Sequence, residues 1–214
     1  MRNRIIAHSN ETCIAFVNTN SNMDGNGVFI GNKLLTSAHV LANSDKFGDC
    51  EKEYKTKSAM CYKDNDFWYK KVLRVLSFNR YGWNFDDFAL YDGNRLDSPF
   101  ALSVDLPLAN EILETYSIKR EVEEQPTENS HNIFSSIRKE RLVEYVDNAK
   151  VLYIRGNYIF CEMNGMLEQG RSGCPLIKDN KVYGILRGGD DKKTCWFQSS
   201  VSILKRLQEH DIQL

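Results

Sequence analysis

The sequence predicts an all-β fold that ends in a short α-helix. Short apolar runs recur along the chain of 214 residues, and polar or glycine-containing turns separate them. Hairpin signals lie between neighbouring runs, and Gly31-Asn32 is a dipeptide suited to the positive φ of a two-residue turn. Near the C-terminus, Val201, Leu204 and Leu207 recur at helical spacing instead. These patterns favour antiparallel hairpins followed by one amphipathic helix.

The first half of the chain contains six predicted strands. They cover residues 12–17, 27–30, 33–36, 58–62, 67–75 and 87–91. Six short antiparallel strands can close one small barrel, and closure removes the exposed strand edges. Residues 43–57 are charged and are predicted to form a surface loop. Residues 92–106 are predicted to connect this barrel to a second lobe.

The second half repeats the pattern of strands and turns. Its predicted strands are 112–118, 151–154, 158–163, 175–177, 182–186 and 194–197, and the helix covers 201–207. Residues 133–146 fit either a pair of strands or a short helix on pattern alone. Residues 120–131 are polar and acidic, which predicts a mobile loop.

The charges of the chain nearly cancel. It has 28 Lys and Arg against 29 Asp and Glu, so no nucleic-acid or membrane partner is expected. No run is long and apolar enough to span a bilayer. The N-terminal residues are partly basic but lack the apolar core of a secretory signal. These observations predict a cytoplasmic location.

The cysteines support the same location. There are six of them, and their spacing contains no CxxC pair, so neither a zinc site nor any other metal site is expected. An even number would also suit a disulfide framework, but four lie in strand-like runs, where a buried thiol is the usual state. Cys50 and Cys61 are the one pair near enough in sequence to leave a disulfide open.

One turn in the second half carries the features of a nucleophile site. Ser172 lies between two glycines, Gly170 and Gly173, which allow a sharp turn with positive φ. Such a turn can expose a hydroxyl and direct consecutive main-chain N–H groups into one cavity, as in an oxyanion hole. In isolation, an ordinary surface turn is the more common explanation of the same residues.

Two stretches in the first half change that assessment. His39 ends an apolar strand within Thr36-Ser37-Ala38-His39, among small residues that leave room for an imidazole. An acidic residue opens the strand Asp87-Phe88-Ala89-Leu90. A serine hydroxyl needs a base within hydrogen-bond reach, and a buried acid fixes the tautomer of that base. The order along the chain is His, Asp, Ser.

These three stretches resemble the chymotrypsin-like serine proteases, and the resemblance spans most of the chain. The third match is Gly170-Arg171-Ser172-Gly173-Cys174-Pro175. The resemblance implies two six-stranded antiparallel β-barrels with a short C-terminal α-helix. It implies an N-terminal barrel at 1–100 with His39 and Asp87, and a C-terminal barrel at 101–214 with Ser172. It also favours a strand for 133–146.

The resemblance further assigns roles to residues of the site. Asp87 is selected over Asp86 as the acid, because it directly precedes the apolar strand, and Asp86 is expected to be a solvated neighbour or a turn former. The oxyanion hole is expected at the N–H groups of Gly170 and Ser172. The substrate-binding residues are expected to be Met166, Leu167, Ile185, Leu186, Arg187 and Gly188.

Arg171 departs from the secreted members of the family, which carry an acid before the serine. An arginine cannot pair with an N-terminal ammonium group freed by cleavage, so activation by such cleavage is not expected. Arg171 is expected either to pair with a nearby acid such as Glu168 or to face solvent. Cys174 is expected to be a buried packing thiol.

The sequence therefore predicts an intracellular serine endopeptidase that cleaves a specific protein or peptide substrate, with a regulatory protein partner left open. No cofactor is expected. A viral polyprotein protease and a bacterial defence or stress protease both fit the chain. A catalytically silent peptide-binding module and an esterase or acyltransferase remain the alternatives.

Overall fold

The computed structural model describes residues 13–19, 24–31, 33–41, 58–63, 66–75, 86–92, 98–126, 136–163, 169–190 and 193–214. These residues are mostly β-structure, with one α-helix, α1, at Ser200–Glu209. The strands of the first half are β1 (Ile14–Thr19), β2 (Asp24–Ile30), β3 (Lys33–Thr36), β4 (Ser58–Lys63), β5 (Asp66–Val75) and β6 (Ala89–Asp92). Those of the second half are β7 (Ala101–Leu102), β8 (Ile112–Pro126), β9 (Ser136–Arg155), β10 (Tyr158–Met163), β11 (Pro175–Lys178), β12 (Lys181–Gly189) and β13 (Thr194–Ser199).

The first six strands form a closed barrel in the order β1-β2-β3-β6-β5-β4. The β2–β3 hairpin turns at Gly31, whose φ of +54° suits the glycine predicted for the turn. Strand β3 is followed by a short 3₁₀ turn, Ala38–Leu41, which carries His39. Strand β6 pairs with β3, with Ala89 opposite Thr36, so Asp87 arrives beside the same turn. The barrel therefore places both residues at one end of two paired strands.

The second half forms a seven-stranded sheet in the order β11-β8-β9-β10-β13-β12-β7. An additional antiparallel pairing joins β11 to β12. The turn that carries Ser172 enters β11, and Leu176 of that strand lies opposite Gly184 of β12 and Thr115 of β8. The serine turn is thus supported by strands on both sides of β11.

The two halves share a hydrophobic core. One cluster of buried residues combines the first barrel with Ile177, Val182 and Ile185 of β11 and β12, and with Ile203 and Leu207 of α1. A second cluster lies within the second sheet around Leu113, Val151 and Phe197. The helix begins after Ser199, whose side chain accepts a hydrogen bond from the Ser202 N–H as an N-cap. The helix packs against β12, β13 and β7 of the second half, and its buried Ile203 and Leu207 extend the shared core.

One expectation from the sequence needs correction, and one open alternative is decided. Residues 120–126 are not a loop, because β8 continues to Pro126 and pairs with β9 along its whole length. The described residues within 133–146 form strand, as the resemblance favours, since β9 covers Ser136–Arg155. Regular alternation of polar and apolar residues is weak there in the sequence, because charged residues follow one another in runs such as Arg138-Lys139-Glu140-Arg141. Within the ranges described, no helix is long and apolar enough to cross a lipid bilayer.

Candidate active site

His39, Asp87 and Ser172 form one hydrogen-bonded chain across the two halves of the molecule. His39 Nε2 lies 2.6 Å from Ser172 Oγ, and His39 Nδ1 lies 2.6 Å from Asp87 Oδ2. The Asp87 side chain is fully buried, whereas the His39 side chain is 20% exposed. Ser172 is half-buried, so the serine end of this hydrogen-bonded series faces solvent, whereas the aspartate end faces the interior.

Asp87 is held from several directions. Its Oδ1 accepts the main-chain N–H of His39 at 2.9 Å, and its main-chain carbonyl accepts the N–H of Ala38 at 3.2 Å. Its own N–H donates to Gln198 Oε1 at 2.6 Å. Arg187 Nε lies 3.5 Å from Asp87 Oδ2, so a cation accompanies the buried carboxylate. These contacts fix the carboxylate on the Nδ1 side of the imidazole.

The sequence predicts that Asp86 is a solvated neighbour of the site, but the structure shows that it is buried. It is only 7% exposed, and burial raises the pKa of its carboxyl group despite the nearby Arg206 guanidinium. Its Oδ1 accepts a hydrogen bond from Gln198 Nε2 at 3.0 Å, and its Oδ2 accepts one from Arg206 Nε at 2.5 Å. Gln198 therefore links Asp86 to Asp87, and Arg206 connects the pair to α1.

The turn around Ser172 has the backbone conformation that its glycines allow. Gly170 and Gly173 have φ of +94° and +86°. The Gly173 N–H donates to the Leu186 carbonyl at 2.7 Å, and the Ser172 carbonyl accepts the Asn26 N–H at 2.7 Å. The Cys174 N–H closes the turn on the Arg171 carbonyl at 3.0 Å. Main-chain bonds to both halves of the molecule therefore define this turn.

Gly173 gives the first testable prediction. A Cβ at this position would lie 2.0 Å from the Asn26 carbonyl oxygen and 2.6 Å from Thr36 Oγ1, and the positive φ adds strain. We expect Gly173→Ala to lower the free energy of unfolding by more than about 3 kcal/mol and to displace Ser172. Urea denaturation of both proteins measures the loss. Gly31→Ala is the matched control, because Gly31 also has positive φ but a Cβ there would meet no atom within 4 Å, so its loss should be smaller. Equal losses would contradict the prediction.

Arg171 does not face solvent, since it is 4% exposed. Its guanidinium forms an ion pair with Asp147 of β9. The alternative partner, Glu168, lies outside the described residues. The residue before Ser172 is therefore tied to the second sheet by charge.

Cys174 is buried, as the sequence predicted, and burial raises the pKa of its thiol to about 12. At neutral pH the group is a protonated thiol and hence a poor nucleophile. In the described part of the chain, no cluster of three or more His, Cys, Asp or Glu side chains has the arrangement of a metal site.

Four of the residues expected to bind substrate are either outside the described ranges or already bonded within the fold. Met166 and Leu167 are outside the described residues. Ile185 is buried and pairs with Pro175 on one side and Gln198 on the other, and the Leu186 carbonyl accepts Ser37 Oγ–H at 2.8 Å. Both are therefore already bonded within the fold.

The C-terminal end of β12 pairs with a described strand on one side only. Gly188 and Gly189 pair with Trp196 and Cys195 of β13, and no other described strand pairs with these two glycines. The Arg187 side chain turns toward Asp87, with its guanidinium carbon 5.3 Å from the centre of the Tyr158 ring. Of the predicted residues that the structure describes, Gly188 is thus the one that pairs with a described strand on one side only.

Sequence reasoning missed four residues of this site: Asn26, Asp147, Arg187 as a partner of Asp87, and Gln198. All four are polar residues within strands. What distinguishes them is the partner that each contacts, and those partners are determined by the tertiary fold.

Comparisons with known proteins identify the fold. No protein-family model matches the sequence, and no curated protein matches it. The structure is similar to the active form of the Rv3671c protease from M. tuberculosis, with a TM-score of 0.61 and 15% identity over 95% of this chain and 83% of that chain. It is also similar to the serine protease of a human pathogenic astrovirus, with a TM-score of 0.52 and 17% identity over 90% of this chain and 91% of that chain.

The chain has the chymotrypsin fold. The same fold is found in an inactivated protease paralogue of the scabies mite, with a TM-score of 0.60 and 11% identity over 93% of this chain and 91% of that chain. The chymotrypsin fold therefore occurs in both active and inactivated proteins, and function has to be argued from the side chains of the site.

Proposed function

We propose that this protein is a serine endopeptidase that uses Ser172, His39 and Asp87 as a catalytic triad. The hydrogen-bonded chain from Ser172 Oγ through both nitrogens of His39 to Asp87 carries this proposal. Those contacts match the roles of nucleophile, general base and orienting acid. The serine protease neighbours in fold support the same class of reaction.

The mechanism follows from the positions of these atoms. Ser172 Oγ attacks the carbonyl carbon of the scissile peptide bond while His39 Nε2 takes the hydroxyl proton. The buried Asp87 carboxylate accepts the Nδ1–H bond and stabilises the imidazolium that forms. His39 then gives the proton to the leaving amine, and an acyl group remains on Ser172. Water, activated by His39 in the same way, releases the acid product.

The negative oxygen of the tetrahedral intermediate needs hydrogen-bond donors. We assign this role to the main-chain N–H groups of Gly170 and Ser172, whose positions are set by the glycine-rich turn. The ion pair of Arg171 with Asp147 anchors the same turn from the second sheet. This internal anchor supports an oxyanion hole that forms without a freed N-terminus.

The substrate is proposed to be a protein or peptide segment in extended conformation. The edge of β12 at Gly188 and Gly189 can accept such a segment as an added strand. Met166 and Leu167 remain proposals for the side-chain pocket. We further propose that a specific protein is cleaved and that cleavage occurs inside the cell, with regulation by a partner protein left open.

The cysteines support a reducing compartment. Cys161 of β10 lies directly opposite Cys195 of β13, and both are buried free thiols. Such neighbours remain reduced most readily where glutathione and thioredoxin act.

We also propose that the second sheet closes as a second six-stranded barrel through the β11–β12 pairing, with the lobes divided near residue 100.

A catalytically silent peptide-binding module is the second candidate, and the inactivated scabies mite paralogue shows that the fold can persist in an inactivated protein. The geometry favours the enzyme, because the hydroxyl, imidazole and carboxylate are all present and within hydrogen-bond distance. A binding module has no need of this alignment.

Cleavage of a peptide library tests the proposal. The purified protein is incubated with the library, and products are identified by mass spectrometry beside a Ser172→Ala control. We expect cleavage by the native protein and none by the variant. Peptides that bind without being cut would favour the binding module, and equal cleavage by both proteins would eliminate Ser172 as the nucleophile.

A further inference from the structure

Asn26 takes no part in the proposed chemical steps, yet its side chain is fully buried where three segments meet. Its Nδ2 donates to the Gly170 carbonyl at 2.7 Å and to the Ile118 carbonyl at 3.2 Å. Its Oδ1 accepts the Ile118 N–H at 2.6 Å. One amide thus joins β2 of the first barrel, β8 of the second sheet and the turn that carries Ser172.

The three partners determine which end of the amide is oxygen. The Ile118 N–H can only donate, so Oδ1 must face it, whereas the two carbonyl groups can only accept and must face Nδ2. Both hydrogens of Nδ2 are therefore used. An ionised aspartate at this position would keep the acceptor and lose both donors.

The main chain of Asn26 holds the same turn at a second point. Its N–H donates to the Ser172 carbonyl at 2.7 Å, and its carbonyl oxygen accepts Thr36 Oγ1–H at 2.5 Å. The carbonyl groups of Gly170 and Ser172 are thus fixed by one residue. The N–H of Ser172 lies between these two fixed groups in the chain, so its direction is constrained from both sides.

We propose that Asn26 is a positioning residue for the oxyanion hole. Its side-chain amide holds the Gly170–Arg171 peptide so that the Ser172 N–H stays directed at the reacting carbonyl. Any residue can supply the main-chain bond to Ser172, but the bond to Gly170 requires a side chain with an N–H donor. Without that donor, the half-buried Gly170 carbonyl loses this partner and turns toward another donor, and the peptide turns with it. This inference rests on the proposed function of Ser172.

Two variants test the role of the amide. Asn26→Asp keeps the size of the side chain and removes the donors. Asn26→Leu keeps the branched shape of the side chain and has no polar atom, so it excludes rescue by a protonated aspartate. Ser200→Ala is the matched control, because Ser200 is also fully buried and donates to a distant carbonyl, Ser103 O, at 2.7 Å.

The first measurement is the second-order rate at which a fluorophosphonate modifies Ser172 in each full-length protein. Loss of one oxyanion donor lowers kcat by about 10²- to 10³-fold, so we expect a misdirected donor to lower the modification rate by about 10- to 100-fold in both Asn26 variants. Ser200→Ala should stay within about twofold of the native rate, since the bond that it removes goes to Ser103 and not to the turn that carries Ser172. Native rates in both Asn26 variants would overturn the inference.

The second measurement is hydrogen exchange of residues 169–174, and it does not depend on reactivity. We expect the amides of Gly173 and Cys174 to exchange faster in the Asn26 variants and to be unchanged in Ser200→Ala, because both amides donate within or from the turn. Unchanged exchange in the Asn26 variants would overturn the inference. If the native protein itself fails to react, the proposed function is wrong, and exchange alone then decides whether Asn26 orders the turn.

Discussion

Replacing His39 by alanine is expected to lower peptide hydrolysis by about 10⁶-fold, because the Ser172 hydroxyl then has no base within reach. Ser172→Ala should have an effect of the same size. Since the two residues act as one unit, the double variant should be no slower than either single variant. Initial rates on a library-derived peptide measure all three.

The His39→Ala protein should remain folded. Asp87 keeps its bond from the main-chain N–H of residue 39 and its proximity to Arg187, so its buried carboxylate retains partners. Circular dichroism and a urea titration check the fold. Multiplicative losses in the double variant, or substantial hydrolysis by a folded His39→Ala protein, would contradict the assignment of His39 as the base.

The second large effect is expected at the Arg171–Asp147 ion pair. Asp147→Asn leaves the Arg171 cation in the interior without its carboxylate, at 4% exposure, and should lower the free energy of unfolding by about 3 kcal/mol. Arg171→Met leaves the Asp147 side chain, which is 22% exposed and can be hydrated, so the loss should be smaller. Urea denaturation of both variants measures this asymmetry.

A double variant separates stability from function at the same pair. Arg171→Met with Asp147→Leu removes both charges, and replacing an ion pair by apolar groups often restores stability. If the pair also anchors the oxyanion turn, fluorophosphonate reactivity should remain lower than in the native protein. A larger stability loss for Arg171→Met than for Asp147→Asn would contradict the account of the buried charge.

The sequence could predict the residues whose surroundings are local. His39 follows an apolar strand, Asp87 opens one, and Ser172 lies between glycines, so short stretches indicated each of them. The closed first barrel could also be predicted from the sequence, since strands with a period of two residues and the Gly31-Asn32 turn are local signals. The structure places these three residues in contact, and their catalytic roles are the proposal.

The remaining parts of the site depend on contacts between distant segments. Asn26 and Gly170 are separated by 144 residues, and Asp87 and Gln198 by 111. No periodic pattern indicates which polar residue of a strand will be buried against a turn so far away. The prediction of a solvated Asp86 is wrong for the same reason, because its partners Gln198 and Arg206 come from the C-terminal strand and helix.

Fluorophosphonate labelling of the native full-length protein, followed by mass spectrometry of the modified peptide, tests the central claim most directly. The account predicts one adduct, on Ser172, formed without any proteolytic processing and absent from the His39→Ala protein. Failure of the folded native protein to react, or an adduct at another residue with Ser172 unmodified, would contradict the assignment of Ser172 as an activated nucleophile.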